Sequence, residues 1–550
     1  MRTASGPGPI AGLAFILTFL LLVANGRAIG SGDTNAMERT AGSLLERATV
    51  VLPDEGDADP FTRAVPGGRV SIYPALPALV ALPFFVTCRL FFDLNPAGLQ
   101  AAGKLTAALL AALAVALLAL SFARRATPLV ALSSALIFGV GTSVFSTAQA
   151  LWQHPVVILF LVIALRALEQ LETAAARDRL RPGLIAALGL SLATASRPAV
   201  IPMCAALFVF LLFRAREYAP RILVAAAIPA AGVAAYNTAL FGAPWQFGPS
   251  GATGRFFAAF PESMAGLLVA PARGLLIFTP VAVVALWGLA TRSRTSALAR
   301  GLLAATLVHF LFVAIWNEWH GGESFGPRLL TDLLPALFFF LPEGLAAWPK
   351  LGASLGAVSI AIQLIGGWTY DYRWERLHQR GRGFDAALWS WTDSPIAFAI
   401  REGVVIQGTP KLEDRRVRLS LGRRTPFGPQ GSTVEATPSE LRISGPPRAR
   451  DIRLERGGRV APDGIALSHP ADALAFRVGL EGARSLRLVG SLEGVLRIEG
   501  PSGSTSIPMS GAFDLTLPLA LAQGDEVFVR AESGDLRLAR VEAGSGPSSP

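Results

Sequence analysis

Long apolar runs separated by short polar turns fill the first 370 residues of this chain. Most runs have the 17 or more residues that a helix needs to cross a bilayer of roughly 30 Å, and the runs at 183–196 and 199–213 form a shorter pair. The pattern predicts eleven spans, at residues 10–29, 99–122, 128–147, 152–168, 183–196, 199–213, 222–241, 274–291, 301–317, 329–346 and 351–370. The apolar segment 73–85 contains three prolines, and we assign it to a juxtamembrane helix within a first outer loop at 30–98.

After residue 370 the pattern changes to short stretches in which apolar and polar residues alternate. This period of two, with Gly, Pro and Ser between the stretches, predicts an antiparallel, β-sandwich-like domain over residues 415–543. The predicted strands are 415–422, 451–458, 473–480, 485–492, 494–500, 525–532 and 535–543. Residues 371–414 are interpreted as a linker, and residues 544–550 as a disordered tail.

The composition supports a membrane protein, because 52% of the residues are hydrophobic and only 16% are charged. The net charge of +10 does not indicate nucleic-acid binding, since the arginines of the apolar part cluster between the runs. Cys88 and Cys204 lie in apolar surroundings and predict neither a disulfide framework nor a thiol metal site. The first apolar run is longer than the apolar part of a typical signal peptide, so we interpret it as a retained anchor.

The positions of the basic residues orient the spans. With the N-terminus inside, the inner loops hold Arg124, Arg125, Arg177, Arg179, Arg181, Arg214, Arg216, Arg221, Arg292, Arg294, Arg300 and Lys350. If segment 73–85 crossed the membrane, every later loop would change side and this positive-inside bias would be lost. The chosen topology places the loops at 148–154, 242–273 and 318–328 and the C-terminal domain on the same outer face as the first loop.

Asp33 and Glu38 follow the first span directly, at the level of the lipid headgroups. A carboxylate held there can act as a general base on a hydroxyl group. Acidic residues just outside a first helix are also common without any catalytic role, and position alone leaves both interpretations open.

The outer loop 316–328 combines glycines, tryptophans and charged groups. Its glycines allow close approach of a ligand to the backbone, and His320 and Arg328 can bind an anionic oxygen. Trp316 and Trp319 offer flat faces to a sugar or an isoprenoid, and the same short loop contains Glu318 and Glu323. An aromatic belt with a glycine turn would explain the tryptophans but not the four charged or titratable side chains.

Two further arginines, Arg197 and Arg273, stand at the outer ends of predicted spans. Each can contact a phosphate, or can simply extend to the headgroups. His154 lies in another outer turn, where a structural role is more common than a metal role. The chain has no nucleotide-binding loop, dinucleotide fingerprint or zinc spacing, so the energy for a reaction has to come with the substrate. No cofactor and no metal ligand is predicted, and a requirement for a divalent metal stays open.

Taken in order, these motifs resemble bacterial integral-membrane glycosyltransferases of the GT-C class, in the branch of protein mannosyltransferases and aminoarabinose transferases. The resemblance covers residues 8–370. It rests on Ser-Gly-Asp at 31–33, Ser-Leu-Leu at 43–45, Tyr-Pro-x-Leu-Pro at 73–77, Arg-Pro at 197–198, Tyr-Asn with Phe-Gly-x-Pro at 236–244, Arg-Gly-Leu-Leu at 273–276 and Trp-His-Gly-Gly-x-Ser-x-Gly-Pro-Arg at 319–328.

The resemblance implies an inverting transfer of a sugar from a polyprenyl-phosphate-linked donor to an envelope glycan, lipid or protein, at the outer face of the bacterial inner membrane. It implies Asp33 as the catalytic base with Glu38 as a second acidic group, and donor-phosphate contacts from Arg197, Arg273, Arg328 and His320. Trp316, Glu318, Trp319, Glu323 and Tyr73 are the candidates for other substrate contacts. Relatives often have an aspartate where this chain has Trp152-Gln153-His154.

The alternative function is a non-catalytic transporter or an assembly factor for envelope polysaccharide. Transporters tend to place ionisable residues at the middle of the membrane and to contain inverted repeats. In this sequence the charged groups gather at one predicted surface and no repeat is visible. The pattern therefore favours the transferase.

Overall fold

The computed structural model describes residues 6–53, 59–246, 256–372, 374–375, 378 and 384–402, together with eleven strands between Thr425 and Gly544. The chain forms two compact units, one of Met1–Tyr370 with Gly381–Ile400 and the other of Asp371–Arg380 with Arg401–Pro550. The predicted linker at 371–414 is thus shared between the units, and its residues 403–414 lie outside the described residues. The predicted strand at 415–422 and tail residues 545–550 also lie outside them.

Helices build most of the first unit and are joined by short turns. Their bounds are α1 (Pro7–Val23), α2 (Gly32–Arg47), α3 (Leu76–Arg89), α4 (Pro96–Ala123), α5 (Pro128–Val140), α6 (Ser143–Thr147), α7 (Gln153–Thr173), α8 (Leu180–Ser196), α9 (Ile201–Arg214), α10 (Ala219–Phe241), α11 (Glu262–Val269), α12 (Leu275–Phe278), α13 (Ala282–Ser293), α14 (Ala297–Ile315), α15 (Leu334–Phe338), α16 (Leu341–Ala347), α17 (Pro349–Thr369), α18 (Phe384–Leu388) and α19 (Pro395–Glu402). Single 3₁₀ segments lie at Ala176–Asp178, Pro198–Val200, Arg216–Tyr218 and Arg328–Leu333.

Helices occupy all eleven predicted spans, but the number of spans is not confirmed. Among the described residues four helical stretches are long and apolar enough to cross a membrane: α4, Arg216–Phe241, α14 and α17. A fifth is counted if Arg328–Phe338 and Leu341–Ala347, which are bent by 70°, form one broken span. The predicted span at 274–291 is likewise divided, because Pro280 has no N–H to continue the ladder after α12. The chain is a multi-span membrane protein with several broken helices.

The first outer loop is more ordered than the sequence pattern indicates. The first span ends at Val23, six residues before the predicted end, and the chain then turns through Gly26, which has φ +59. Helix α2 follows, and its Met37 and Ala41 pack against α3. A short hairpin joins these helices and is formed by β1 (Thr62–Val65) and β2 (Gly68–Ser71). Helix α3 lies where the juxtamembrane helix was predicted, and its position along the membrane surface stays a prediction.

The second unit contains one antiparallel sheet in which all eleven described strands are connected. The strands are β3 (Thr425–Pro426), β4 (Ser432–Ala436), β5 (Leu441–Ser444), β6 (Asp451–Glu455), β7 (Arg459–Ala461), β8 (Gly464–Leu467), β9 (Ala473–Arg477), β10 (Ser485–Gly500), β11 (Gly503–Pro518), β12 (Glu526–Ser533) and β13 (Leu536–Gly544). The two strands predicted at 485–492 and 494–500 are wrong as separate elements. Gly494 does not end the strand, because its missing side chain allows the backbone to pass close to the Ser533 carbonyl. The antiparallel arrangement is confirmed, and the sandwich-like packing stays a prediction.

Candidate active site

Asp33 lies in the first turn of α2, where free backbone N–H groups and the helix dipole favour a carboxylate. Ser31, just before the helix, donates its hydroxyl to Asp33 Oδ1, and Arg328 Nη1 donates to Oδ2 over 2.7 Å. Burial alone would raise the pKa of Asp33, but the Arg328 charge and these hydrogen bonds more than offset it and lower the pKa. Asp33 is therefore an ionised and oriented carboxylate at neutral pH.

Arg328 joins Asp33 to the loop 316–328. Its Nη2 donates to the Gly321 carbonyl over 2.7 Å, and its guanidinium lies over the Trp152 ring, 4.3 Å from the centroid. Gly321 has φ +74, a conformation that side chains other than glycine rarely adopt. The Nε atom of Arg328 is buried and has no hydrogen-bond partner among the described residues. An anionic oxygen placed there would satisfy this donor.

A second charged cluster lies beside the first and is centred on Asp332. The Asp332 side chain is fully buried, with Oδ2 accepting from Arg197 Nε over 2.9 Å and Oδ1 lying 2.8 Å from His154 Nδ1. Arg197 Nη1 also donates to Gln153 Oε1 over 3.3 Å. The Nη2 atom of Arg197 makes no hydrogen bond in the part of the chain that the structure describes. Asp332 thus orients the Arg197 guanidinium, whose Nη2 atom can still donate to a ligand.

Sequence reasoning did not identify Asp332. The residue follows Arg328 by four positions in the 3₁₀ segment Arg328–Leu333, so the same short element supplies one charged side chain to each cluster. A signal was present in the sequence, because an acidic residue inside the predicted span 329–346 is unusual in a membrane segment. His154, for which the sequence favours a structural role over a metal role, pairs with Asp332.

Arg273 was predicted to bind the donor phosphate, but its donors are directed to the protein backbone. The side chain is completely buried, and Nε and Nη2 donate to the carbonyls of His320 and Gly322, each over 2.9 Å. Nη1 donates to the carbonyl of Ala272 over 2.9 Å. These bonds fix the glycine turn of the loop 316–328, so the geometry fits a positioning residue better than a phosphate ligand.

His320 is a neutral side chain in this site. Burial lowers its pKa to about 4, and the charges of Arg273 and Arg328 act in the same direction. The Gly322 N–H donates to His320 Nδ1 over 3.2 Å, so the ring proton is on Nε2, which lies 3.3 Å from Glu318 Oε2. His320 can therefore donate one hydrogen bond, but it does not supply a positive charge.

The remaining loop residues differ in their access to a substrate. Glu318 is exposed, and Trp316 and Glu323 are half-buried. Trp319 is buried against Gly266, where a Cβ atom would lie 2.3 Å from the indole ring. Trp319 therefore fixes the loop to α11, whereas Glu318, Trp316 and Glu323 keep surface for a ligand. Among the described residues, no group of three His, Cys, Asp or Glu side chains is placed to hold a metal ion.

Tyr73 lines an apolar cavity, and the charges of both clusters act on its pKa. The cavity has a volume of about 300 Å³ and lies between α3, α8 and α10, with Leu79, Leu192, Val233 and Tyr236 among its lining residues. Burial raises the pKa of Tyr73, the Asp33 charge raises it further, and the Arg328 and Arg197 charges oppose the rise. Tyr73 therefore lines the cavity within electrostatic reach of Asp33 and both arginines.

Glu38 belongs to neither of the two charged clusters. It is fully buried on α2, accepts a hydrogen bond from the Leu151 N–H over 3.3 Å, and approaches Gly103 so closely that a Cβ there would lie 2.4 Å from Oε1. Burial raises the pKa of Glu38 to about 8, because the single hydrogen bond from Leu151 lowers the pKa by less than burial raises it. This environment fits a packed, protonated carboxyl rather than a second catalytic group.

Glu38→Gln is expected to remove a pH dependence of stability. The folded pKa is near 8 and the unfolded value near 4.5, so Glu38 lowers the free energy of unfolding as the pH rises through this interval. The loss is on the order of 5 kcal/mol when the titration is complete. Thermal unfolding in detergent should show equal midpoints for wild type and variant at pH 5, and a higher midpoint for the variant at pH 9.

The matched control is Glu46→Gln, which changes an exposed glutamate on the same helix. This control should follow the wild-type midpoint at both pH values. A Glu38→Gln protein that loses stability with pH as steeply as the wild type would contradict the buried carboxyl as the cause.

No protein-family model and no curated protein matches the chain, but several solved structures do. One is the protein O-mannosyltransferase Pmt1-Pmt2 complex of S. cerevisiae bound to the sugar donor, with 13% identity and a TM-score of 0.30 over 42% of this chain and 32% of that chain. Another is ArnT from Cupriavidus metallidurans bound to undecaprenyl phosphate, with 14% identity and a TM-score of 0.44 over 71% and 67%.

A third is the arabinofuranosyltransferase AftD from Mycobacteria, with 12% identity and a TM-score of 0.41 over 98% of this chain and 59% of that chain. The chain therefore spans about a third of the mannosyltransferase structure and less than two thirds of the arabinofuranosyltransferase. These neighbours are GT-C glycosyltransferases, the class that the sequence motifs resemble.

Proposed function

We propose that this chain is an inverting membrane glycosyltransferase that takes a sugar from a polyprenyl-phosphate-linked donor. One observation carries the proposal: Tyr73 lines an apolar cavity and also lies within electrostatic reach of Asp33, Arg197 and Arg328. A ligand that fills both regions has an apolar chain and an anionic head. A polyprenyl phosphate has this chemistry.

The cavity is the proposed site of the first part of the lipid chain. Its lining is almost entirely apolar, and burying a hydrocarbon chain there is favourable by roughly 25 cal/mol for each Å² removed from water. Ala195 of the lining is two residues from Arg197, so the arginine follows the cavity wall closely along the chain. The chain and the phosphate of one ligand can thus be bound together.

The donor phosphate is proposed to contact Arg197 and Arg328. Arg197 Nη2 and Arg328 Nε have no acceptor among the described residues, and both guanidinium groups are otherwise fixed by hydrogen bonds. Fixed donors beside a leaving phosphate stabilise the negative charge that develops as the sugar leaves. Arg273 and Trp319 are assigned to support of the loop, and Glu38 to packing of α2.

Asp33 is the proposed general base. It would accept the proton of an acceptor hydroxyl as that oxygen forms a bond to the anomeric carbon. The bond between this carbon and the phosphate oxygen breaks on the opposite side, and the phosphate leaves with the electron pair. A single displacement of this kind inverts the anomeric configuration.

The acceptor is proposed to be an envelope glycan, lipid or protein at the outer face of the inner membrane. Glu318, Glu323 and Trp316 keep surface for it, and neutral His320 can donate one hydrogen bond from Nε2. This location follows the predicted positive-inside topology, which also places the C-terminal sheet outside the cell membrane.

The donor site can be tested with undecaprenyl phosphate on purified protein in nanodiscs. A ligand that binds only the folded state raises the midpoint of thermal unfolding, by an amount that depends on the ratio of its concentration to Kd. Wild type should be stabilised, and Arg328→Ala should lose most of the stabilisation, because the phosphate loses one of its two guanidinium contacts. Undecaprenol, which lacks the phosphate, should stabilise the wild type less than undecaprenyl phosphate does.

Arg39→Ala is the matched control. Arg39 also lies at the outer side and forms an ion pair with Asp59 over 3.6 Å, but it belongs to neither charged cluster. This variant should retain the full shift. Equal shifts in wild type and Arg328→Ala would contradict the phosphate site and leave the apolar cavity as a general lipid site.

A further inference from the structure

The segment after the undescribed residues 247–255 exposes three phenylalanines that the proposed reaction does not use. Phe256, Phe257 and Phe260 are between 41% and 63% exposed, and we call them the aromatic patch. Large aromatic groups exposed next to one another usually mark a surface that contacts a partner or a lipid. The rings of Phe257 and Phe260 are in edge contact, with centroids 6.5 Å apart.

The patch is attached by its backbone to the end of helix α14. The Phe257 N–H donates to the Ile315 carbonyl over 2.7 Å, and Phe256 forms a β-bridge with Trp316. The Ala258 N–H donates to Asn317 Oδ1 over 3.0 Å. Helix α14 is one of the helices that are long and apolar enough to cross a membrane, and Ile315 is its last residue. The patch is therefore held at the level where this helix leaves the hydrocarbon.

The patch is also continuous with the apolar surface of α14. The Phe256 ring packs on Phe312 of the helix, with centroids 6.4 Å apart, and Leu307 and Leu311 below are each about half exposed. Residues 256–261 carry no charged side chain. The first charged group after them, Glu262, accepts a hydrogen bond from Trp389 Nε1 over 2.8 Å. Glu262 thus has a hydrogen-bond partner within the protein, and Arg255 directly precedes the patch in the sequence.

We infer that the aromatic patch inserts into the interface of the lipid bilayer and anchors the loop 316–328 at a fixed depth. Burial of phenylalanine rings among the acyl chains at this level is favourable in free energy. The backbone N–H groups of Phe257 and Ala258 keep their hydrogen bonds within the protein. Because Trp316 and Asn317 are tied to Phe256 and Ala258, insertion fixes the start of the loop that carries Arg328. This inference does not depend on the proposed transferase activity.

Site-directed spin labelling tests the depth of the patch directly. A nitroxide at Phe257→Cys is compared with one at Leu311→Cys, on the apolar surface of α14, and one at Asp178→Cys, an exposed turn residue. Both native cysteines are buried and free, and they are replaced by alanine in all three variants. The proteins are reconstituted in phosphatidylcholine and phosphatidylglycerol vesicles, and collisions with oxygen and with a water-soluble nickel chelate are measured by power saturation.

The label at 257 should resemble the label at 311, with oxygen collisions in several-fold excess over nickel collisions. The label at 178 should show the reverse order. A label at 257 that behaves like the label at 178 would overturn the inference. A discrete distance between labels at 257 of two protein molecules would also overturn it, because the patch would then be a contact between copies. A second label at Phe260→Cys repeats the test if the substitution at 257 disturbs folding.

Discussion

Asp33→Asn is expected to reduce sugar transfer by a factor on the order of 10² to 10⁴, the usual contribution of a positioned general base. The asparagine keeps the size of the side chain, its carbonyl oxygen can still accept from Arg328, and its amide can donate to the Ser31 hydroxyl. It cannot take the proton of the acceptor hydroxyl, and it removes the charge that pairs with Arg328 over 2.7 Å. The fold should therefore survive while the reaction is lost.

The reaction can be followed as polyprenyl phosphate released from a set of polyprenyl-phosphate-linked hexoses and pentoses. The proteins are reconstituted in vesicles with a bacterial envelope extract as the source of acceptor. Asp59→Asn is the matched control, since Asp59 is an aspartate of the same loop at 30–98 that pairs with a different arginine, Arg39. It should retain most of the wild-type rate.

The pH profile gives an independent measurement of the same role. The pKa of Asp33 is lowered, so the base remains ionised down to pH values below the ordinary range of aspartate. The acid limb of the wild-type rate should therefore lie below that range. An Asp33→Asn enzyme that keeps more than about a tenth of the wild-type rate would contradict the assignment of this residue as base.

Asp332→Leu is expected to destabilise the protein by about 3–5 kcal/mol, the usual cost when one partner is removed from a buried ion pair. The substitution leaves the part-buried Arg197 guanidinium without its 2.9 Å contact, and the fully buried His154 without its 2.8 Å partner. The free energy of unfolding can be compared by titration with SDS in mixed micelles.

A double-mutant cycle separates loss of the ion pair from a simple packing defect. Arg197→Met with Asp332→Leu replaces both charges by apolar groups of similar size, and this double variant should recover part of the lost stability. If the double variant is as unstable as the sum of the two single variants, the pair contributes no coupling energy. The proposed role of Asp332 in holding Arg197 for the phosphate would then fail.

Several features of the site could be predicted from the sequence because they depend on local order along the chain. Asp33 follows an apolar run, and Arg328 ends a loop that is rich in glycine and tryptophan, so both stood out as candidates. The structure brings them within hydrogen-bond distance although they are 295 residues apart. No spacing in the sequence predicts that pair, because it depends on how the helices between them are packed.

The roles of Arg273 and Glu38 show what the motifs could not distinguish. Both residues match positions where the resemblance implies chemistry, and the structure buries both of them completely. For Arg273 the decisive feature is the direction of its donors, which bind carbonyls of the glycine turn. For Glu38 it is the close approach of Gly103 on another helix.

The class of this protein, a multi-span helical membrane part followed by a sheet, could be predicted from the sequence alone. The spacing of apolar residues and the length of each apolar run are local properties of the sequence. A helix that crosses a bilayer needs an apolar run of sufficient length. Three features emerge only when the chain is folded: the positions where helices break, the orientation of Arg197 by Asp332, and the place of Tyr73 on an apolar cavity under the influence of both charged clusters. These features depend on contacts between distant segments, and the free energy of such contacts is set by burial and geometry rather than by neighbours in the sequence.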